Sequence, residues 1–64
     1  MLNINWHIRD EGPIVLFEPL SDTAREWLDD TVNAEPWQYF GNALVVDHRM
    51  AQGLYDLIVE EFGA

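Results

Sequence analysis

The chain has 64 residues with twelve acidic and three basic side chains, a formal net charge of −9, and no cysteine. This length limits the protein to a single domain, residues 1–64, and the missing cysteines exclude disulfides and thiol chemistry. Such an acidic balance argues against direct binding to nucleic acids or anionic membranes, since both require a basic surface.

The first third of the chain has the pattern of an antiparallel hairpin. Residues 3–9 alternate between apolar and polar side chains, which is typical of a half-buried β-strand. Residues 10–13 are turn formers, and the apolar run at 14–17 predicts the second strand. Pro19 is expected to end that strand because proline has no amide hydrogen to donate to a sheet.

A first helix is predicted to follow this hairpin. Ser21 or Asp22 is a suitable N-cap, and Thr23 is the alternative because Glu26, three residues later, would complete a capping box. The sequence Asn-Ala-Glu-Pro at residues 33–36 is expected to end the helix. The buried stripe at helical spacing consists of Ala24, Trp27, Leu28 and Val32.

The second half of the chain predicts one or two further strands and a final helix. Residues 37–46 are rich in β-forming side chains, with a suitable hairpin turn at Gly41-Asn42, and residues 43–46 are the stronger strand. The last helix is expected from Asp47 or His48 to Phe62. Its core-facing side chains are predicted to be Met50, Leu54, Leu57, Ile58 and Phe62.

Two glycines of the last helix have distinct expected roles. Gly63 should end the helix, as glycine commonly does just past a C-terminus. Gly53 lies inside the helix, where glycine costs about 1 kcal/mol relative to alanine, a cost that leaves room for close packing at this position.

Together these elements predict an α+β fold with the order ββαβα or ββαββα. Two helices would pack on one face of a small antiparallel sheet of three to four strands. A single core is expected between the sheet and the helices, formed by Trp6, Phe17, Trp27, Leu28, Leu44, Val46, Leu54, Leu57 and Ile58.

Few side chains are suited to catalysis. The chain lacks lysine and cysteine, and its one serine, Ser21, stands where a helix cap is needed. His7 is expected to face solvent, and Asp47 beside His48 is better explained as a second helix cap than as part of a catalytic dyad. The spacing of the two histidines matches no pattern of metal ligands. We therefore expect no enzymatic activity, no catalytic residue, no metal and no cofactor.

The acidic residues carry the stronger functional signal. Asp22, Glu26 and Asp29 are expected to share one face of the first helix beside Asp30, with Arg25 pairing to Asp29. Like charges four residues apart repel, so a small domain that keeps them suggests a surface for a cationic partner. The predicted partner-binding residues are Asp22, Glu26, Asp29, Asp30, Glu35, Asp56, Glu60 and Glu61.

Basic protein surfaces are most often grooves that bind nucleic acids. B-DNA presents one negative charge per about 1.7 Å of its axis, and rows of carboxylates along a helix that rises about 1.5 Å per residue can present a comparable density. Such a protein would occupy a groove meant for phosphates and block it.

This whole-chain profile of a short, acidic, lysine-free protein without catalytic motifs resembles the small inhibitors of phages and mobile elements, above all anti-CRISPR proteins that mimic DNA. That resemblance implies an inhibitor of a type I CRISPR effector complex that prevents target DNA from binding. The sequence Phe-Gly-Asn-Ala-Leu-Val-Val-Asp-His-Arg at residues 40–49, with Ala-Arg-Glu-Trp at 24–27, is also similar to stretches in small proteobacterial and phage proteins. The second resemblance implies a strand followed by a helix near Val46, and no activity.

Two functions from different classes follow from these observations. The leading interpretation is an acidic DNA mimic that acts as a monomer or weak homodimer and binds neither nucleic acid nor membrane itself. The alternative is a small bacterial interaction or regulatory module, antitoxin-like or a subunit of a complex, that binds through apolar surface. The first seven residues lack the basic and apolar regions of a signal peptide, so we expect the cytoplasm of a bacterial host cell.

Overall fold

Four strands and two α-helices follow one another as ββαββα in the computed structural model, which describes residues 4–63. Strand β1 spans Trp6–Asp10 and pairs with strand β2, Ile14–Pro19, so the predicted hairpin is confirmed from residue 6 onward. The first residue of the predicted strand, Asn3, lies outside the described residues. The turn is held by Asp10, whose carboxylate accepts the Gly12 N–H at 2.9 Å.

Helix α1 spans Asp22–Val32 and begins and ends as the sequence predicts. Ser21 is the N-cap, and its Oγ accepts the Ala24 N–H at 3.1 Å and donates to Asn5 Oδ1 at 2.7 Å. The alternative cap at Thr23 is therefore not used. Asn33 ends the helix in the left-handed region, with φ of 52°, which a short polar side chain tolerates better than most.

The second half of the chain forms the other hairpin and the last helix. Strands β3 (Tyr39–Phe40) and β4 (Ala43–Asp47) flank the predicted turn, in which Gly41 has a positive φ of 63°. The 3₁₀ turn Pro36–Gln38 occupies residues that the β-rich composition assigned to a strand, because a proline at its start suits a turn. Helix α2 spans His48–Phe62.

The four strands form one antiparallel sheet in the order β1-β2-β4-β3, so the predicted α+β fold is confirmed. In this register Phe17 lies opposite both Ile8 and Leu44, and Val15 lies opposite Val46, so their side chains share one face of the sheet. Both helices pack on that face, and the buried core comprises Trp6, Ile8, Val15, Phe17, Ala24, Leu28, Leu44, Ala51 and Ile58.

An aromatic cluster joins the two helices at one end of this core. Trp6, Trp27 and Phe62 contact one another edge to face, with ring centroids 5.5–5.9 Å apart. Such pairs add about 0.5–1.5 kcal/mol each beyond the burial of apolar area. The cluster fixes the C-terminal end of α2 against the middle of α1 and the start of β1.

Two predictions about α2 are wrong. Met50 and Leu57 were expected in the core, but they are 72% and 47% exposed. On the side of α2 where these two residues lie, an open groove separates it from the C-terminal end of α1. No other element packs closely against Gly53, since a Cβ at this position would meet no atom within 4 Å beyond its chain neighbours and the backbone of its own helix.

Candidate acidic partner-binding surface

Every ionisable side chain among residues 4–63 reaches solvent, and none of them is buried. Eleven of the twelve acidic residues are exposed, and the twelfth, Glu18, is half-buried with its Oε1 atom 3.3 Å from His7 Nδ1. The eight residues predicted to bind a partner are all exposed. The acidic balance of the composition is therefore a property of the surface.

Helix α1 carries the densest group of carboxylates. The inward stripe of Ala24 and Leu28 fixes the rotation of the helix on the sheet, and the acids fall on the remaining sides. The side chain of Asp22 is 96% exposed. The four acids of this helix are Asp22, Glu26, Asp29 and Asp30, and all four are exposed.

The pairing of Arg25 differs from the prediction. Its Nη1 donates to Asp22 Oδ1 at 2.9 Å, whereas Asp29 was expected to be its partner. A helical side chain leaves the backbone toward the N-terminus of its helix, so Arg25 lies over the preceding turn, where Asp22 is located. As a result Glu26, Asp29 and Asp30 have no ion pair among the described residues.

The other two arginines also pair with acids close to them in sequence. Arg9 Nη2 lies 3.3 Å from Glu11 Oε1, and Arg49 Nε lies 3.2 Å from Asp47 Oδ1. Neither acid belongs to the predicted binding set. The basic side chains therefore compensate charge at the hairpin turn and at the start of α2, and leave most of the helical carboxylates uncompensated.

Asp47 has a structural role at the start of α2. It is the N-cap of the helix, and its Oδ1 accepts the Arg49 backbone N–H at 2.9 Å. This hydrogen bond, aided by the one from the Arg49 side chain, lowers the pKa of the Asp47 carboxyl below its ordinary value of 3.8. The prediction that Asp47 is a cap is confirmed, and the local geometry accounts for its ionised state.

The acids of α2 are all exposed, and two of them, Asp56 and Glu60, lie opposite its buried residues Ala51 and Ile58. Asp56, Glu60 and Glu61 are exposed, and Asp56 Oδ1 accepts a hydrogen bond from Gln52 Nε2 at 2.8 Å. Both helices pack on the same face of the sheet. This helical side of the fold, α1 and α2 together, carries seven exposed acids.

Glu35 is placed differently from the other predicted residues. It starts the 3₁₀ turn after α1, where its backbone N–H donates to Gln38 Oε1 at 2.8 Å. Its side chain is exposed, but it lies on a connecting segment and not on a helical row. The structure therefore groups seven of the eight predicted residues on the two helices and sets Glu35 apart.

The charge of Asp29 affects its surroundings. Burial raises the pKa of the Tyr39 hydroxyl, and the negative charge of Asp29 raises it further. These two residues line a hollow of about 160 Å³ between α1 and the β3–β4 turn. Asp29 is thus close to the β3–β4 hairpin at the edge of the sheet.

Sequence reasoning missed an apolar feature on the helical side. Exposed Met50 and Leu57 line a groove between α1 and α2, and nothing in their spacing distinguishes them from core residues.

The described residues contain no grouping of three or more histidine, aspartate or glutamate side chains able to hold a metal ion. No helix among them has the length and apolar character needed to cross a membrane. Comparison of the chain with protein-family models, with curated proteins and with solved structures finds no match.

Proposed function

We propose that this protein binds a basic nucleic-acid-binding surface of a partner through the carboxylates of its helices and thereby keeps nucleic acid out. The observation that carries this proposal is the set of four exposed acids on α1, of which only Asp22 has an ion-pair partner among the described residues. The resemblance to DNA-mimicking anti-CRISPR proteins makes a type I CRISPR effector complex the most concrete target.

The spacing of these carboxylates supports mimicry of a phosphate backbone. The four acids between Asp22 and Asp30 span about 12 Å of helix at a rise of about 1.5 Å per residue. That is one charge per 3–4 Å, which is close to the roughly 3.4 Å per charge along one strand of B-DNA. A rigid helix can therefore present to basic side chains a charge density like that of a single strand.

The energetics of α1 favour a functional role for its charges. Asp22 and Glu26, and Glu26 and Asp30, are like-charged pairs four residues apart, and each pair costs a few tenths of a kcal/mol. A domain of this size rarely has more than about 3–5 kcal/mol of stability. The acidic row thus consumes a measurable part of that stability, and binding to a cationic surface would recover it.

The first experiment compares two charge-matched double variants. Glu26→Gln with Asp30→Asn removes two unpaired helical carboxylates, whereas Glu11→Gln with Glu18→Gln removes two from the hairpin. Each double variant changes the net charge from −9 to −7. A difference in binding between the two variants therefore depends on where the charges lie and not on the total charge. Both variants and the wild type are immobilised to capture partners from a bacterial lysate at low and high salt.

We expect the helical double variant to bind its partner with a slower association rate and a weaker dependence on salt, because exposed charges act mainly on encounter. The hairpin variant should behave like the wild type. Equal binding by all three proteins would contradict the proposal. Capture that survives high salt unchanged would favour the alternative, an interaction module that binds through its apolar surface.

A further inference from the structure

An open groove of about 260 Å³ separates α1 from α2 on the helical side of the molecule. Its floor is formed by side chains of β4, one wall by the C-terminal end of α1, and the other wall by a single stripe of α2. The apolar side chains that line it are Leu44, Val46, Val32, Met50, Leu54 and Leu57.

The side chains of α2 that form one wall of this groove are apolar, yet two of the three are exposed to solvent. Met50, Leu54 and Leu57 follow one another at steps of four and three residues, the spacing of a stripe that packs against a neighbouring element. Met50 is nevertheless 72% exposed and Leu57 47% exposed, while Ile58 beside it is fully buried. A chain with a small core thus leaves part of an apolar stripe in water, which is a feature of interaction sites.

Two carboxylates adjoin residues that line the groove. Asp30 precedes Thr31 on the α1 side, and Glu61 continues the Met50–Leu57 stripe one turn further along α2. Both carboxylates are exposed and have no ion pair among the described residues. The one arginine of α2, Arg49, is paired with Asp47.

We propose that this groove docks an amphipathic helix of the partner, with aliphatic side chains along one face and lysines or arginines on both sides of that face. Apolar anchors at i, i+3 or i+4, and i+7 would follow the groove, and the basic side chains would meet these two carboxylates. The proposal rests on the proposed function only in taking the partner to be basic.

Two other occupants fit the observations less well. A second copy of the chain would bring a further charge of −9 to the same two carboxylates. A small molecule would find a space below the roughly 300–1,000 Å³ that is typical of ligand pockets. The size suits a few inserted side chains, and the surrounding charge suits a cationic helix.

The test uses a synthetic peptide of about 18 residues, five helical turns, with leucines along one face and lysines elsewhere. A scrambled peptide of the same composition serves as the control for attraction by charge alone. Affinity is measured by fluorescence anisotropy, and binding at the groove is followed through the NMR signal of the Met50 methyl group. Met50→Gln and Leu57→Gln remove anchors without changing the charge or the helix propensity appreciably.

We expect the amphipathic peptide to bind at least about tenfold more tightly than the scrambled one, and each groove variant to lose about tenfold. Phe40→Gln, at an apolar residue 74% exposed on the other side of the sheet, should bind like the wild type. Both groove residues are largely exposed, so circular dichroism and thermal unfolding should show folded variants.

Equal affinity for the two peptides, or groove variants that bind as well as the wild type, would overturn the proposal. Self-association of the wild type in a sedimentation experiment, if Met50→Gln abolishes it, would also overturn the proposal. A second copy of the chain would then occupy the groove. The peptide assay contains no nucleic acid. The two proposals can therefore fail separately. If the groove binds the peptide but variants of the α1 acids still inhibit DNA binding, the proposed function is contradicted and the groove proposal is not.

Discussion

Leu57 and Ile58 are neighbours on α2 with isomeric side chains in opposite surroundings. Ile58 is fully buried between the helix and the sheet, whereas Leu57 is 47% exposed in the groove. Replacement by alanine removes the same number of carbon atoms from each. The pair therefore separates the effect of burial from the chemistry of the substitution.

The expected costs differ several-fold. Ile58→Ala removes a fully buried side chain and leaves a cavity against the sheet, which typically costs about 2–5 kcal/mol. Full burial of a leucine side chain contributes roughly 1.5–3 kcal/mol to stability, and Leu57→Ala loses only about half of that. The substitution creates no enclosed cavity and slightly raises the helix propensity. We expect a cost of about 1 kcal/mol or less for Leu57→Ala.

Urea unfolding of the wild type and both variants measures this difference. Tryptophan fluorescence follows the core through Trp6 and Trp27 of the aromatic cluster, and circular dichroism follows the helices. Since small domains have about 3–5 kcal/mol of stability, Ile58→Ala should be largely unfolded at 25 °C, while Leu57→Ala should keep a complete transition with an unchanged slope. Equal destabilisation by both substitutions would show that the rotation of α2 described above is wrong.

Two further predictions concern the helix caps. Ser21→Ala should cost about 1–2 kcal/mol, because the N-cap hydrogen bond and the one to Asn5 are both lost, and Tm should fall by about 4–8 °C per kcal/mol, whereas Thr23→Ala should change Tm little. The depressed pKa of Asp47 means that its stabilisation is present above the ordinary value of 3.8 and is lost as the pH falls through the lower folded value. Urea titrations at descending pH should therefore show a steeper acid loss for the wild type than for Asp47→Ala, and parallel losses would refute the capping role.

Much of this fold is predictable from the sequence because the decisive signals are local. Alternation identifies the first strand, Ser21 caps α1, Gly41 provides the positive φ of the second hairpin turn, and Asp47 caps α2. Each of these depends on residues within one turn or one strand of one another. Together with the chain order, these local features lead to the α+β sheet with both helices on one face.

The features that sequence reasoning missed depend on distant parts of the chain. The helical spacing identifies an apolar stripe on α2, but it does not show which part of that stripe the neighbouring helix covers. For this reason the prediction that Met50 and Leu57 lie in the core is wrong. The partner of Arg25 depends on the direction in which its side chain leaves the helix, which spacing alone does not give. For the candidate site, charge patterning predicts that the acids are exposed, but not which of them the arginines pair with.

The central claim is that the α1 carboxylates bind a surface of the partner that otherwise binds nucleic acid. The most direct measurement is equilibrium binding of labelled target DNA to a purified type I CRISPR effector complex during titration with this protein. We predict that the wild type raises the apparent Kd for DNA and that excess DNA reverses this effect. A quadruple variant should remain folded and lose the effect; it has Asp22, Asp29 and Asp30 changed to Asn and Glu26 changed to Gln. A complex that holds DNA and this protein together, or a quadruple variant that inhibits as well as the wild type, would contradict the account.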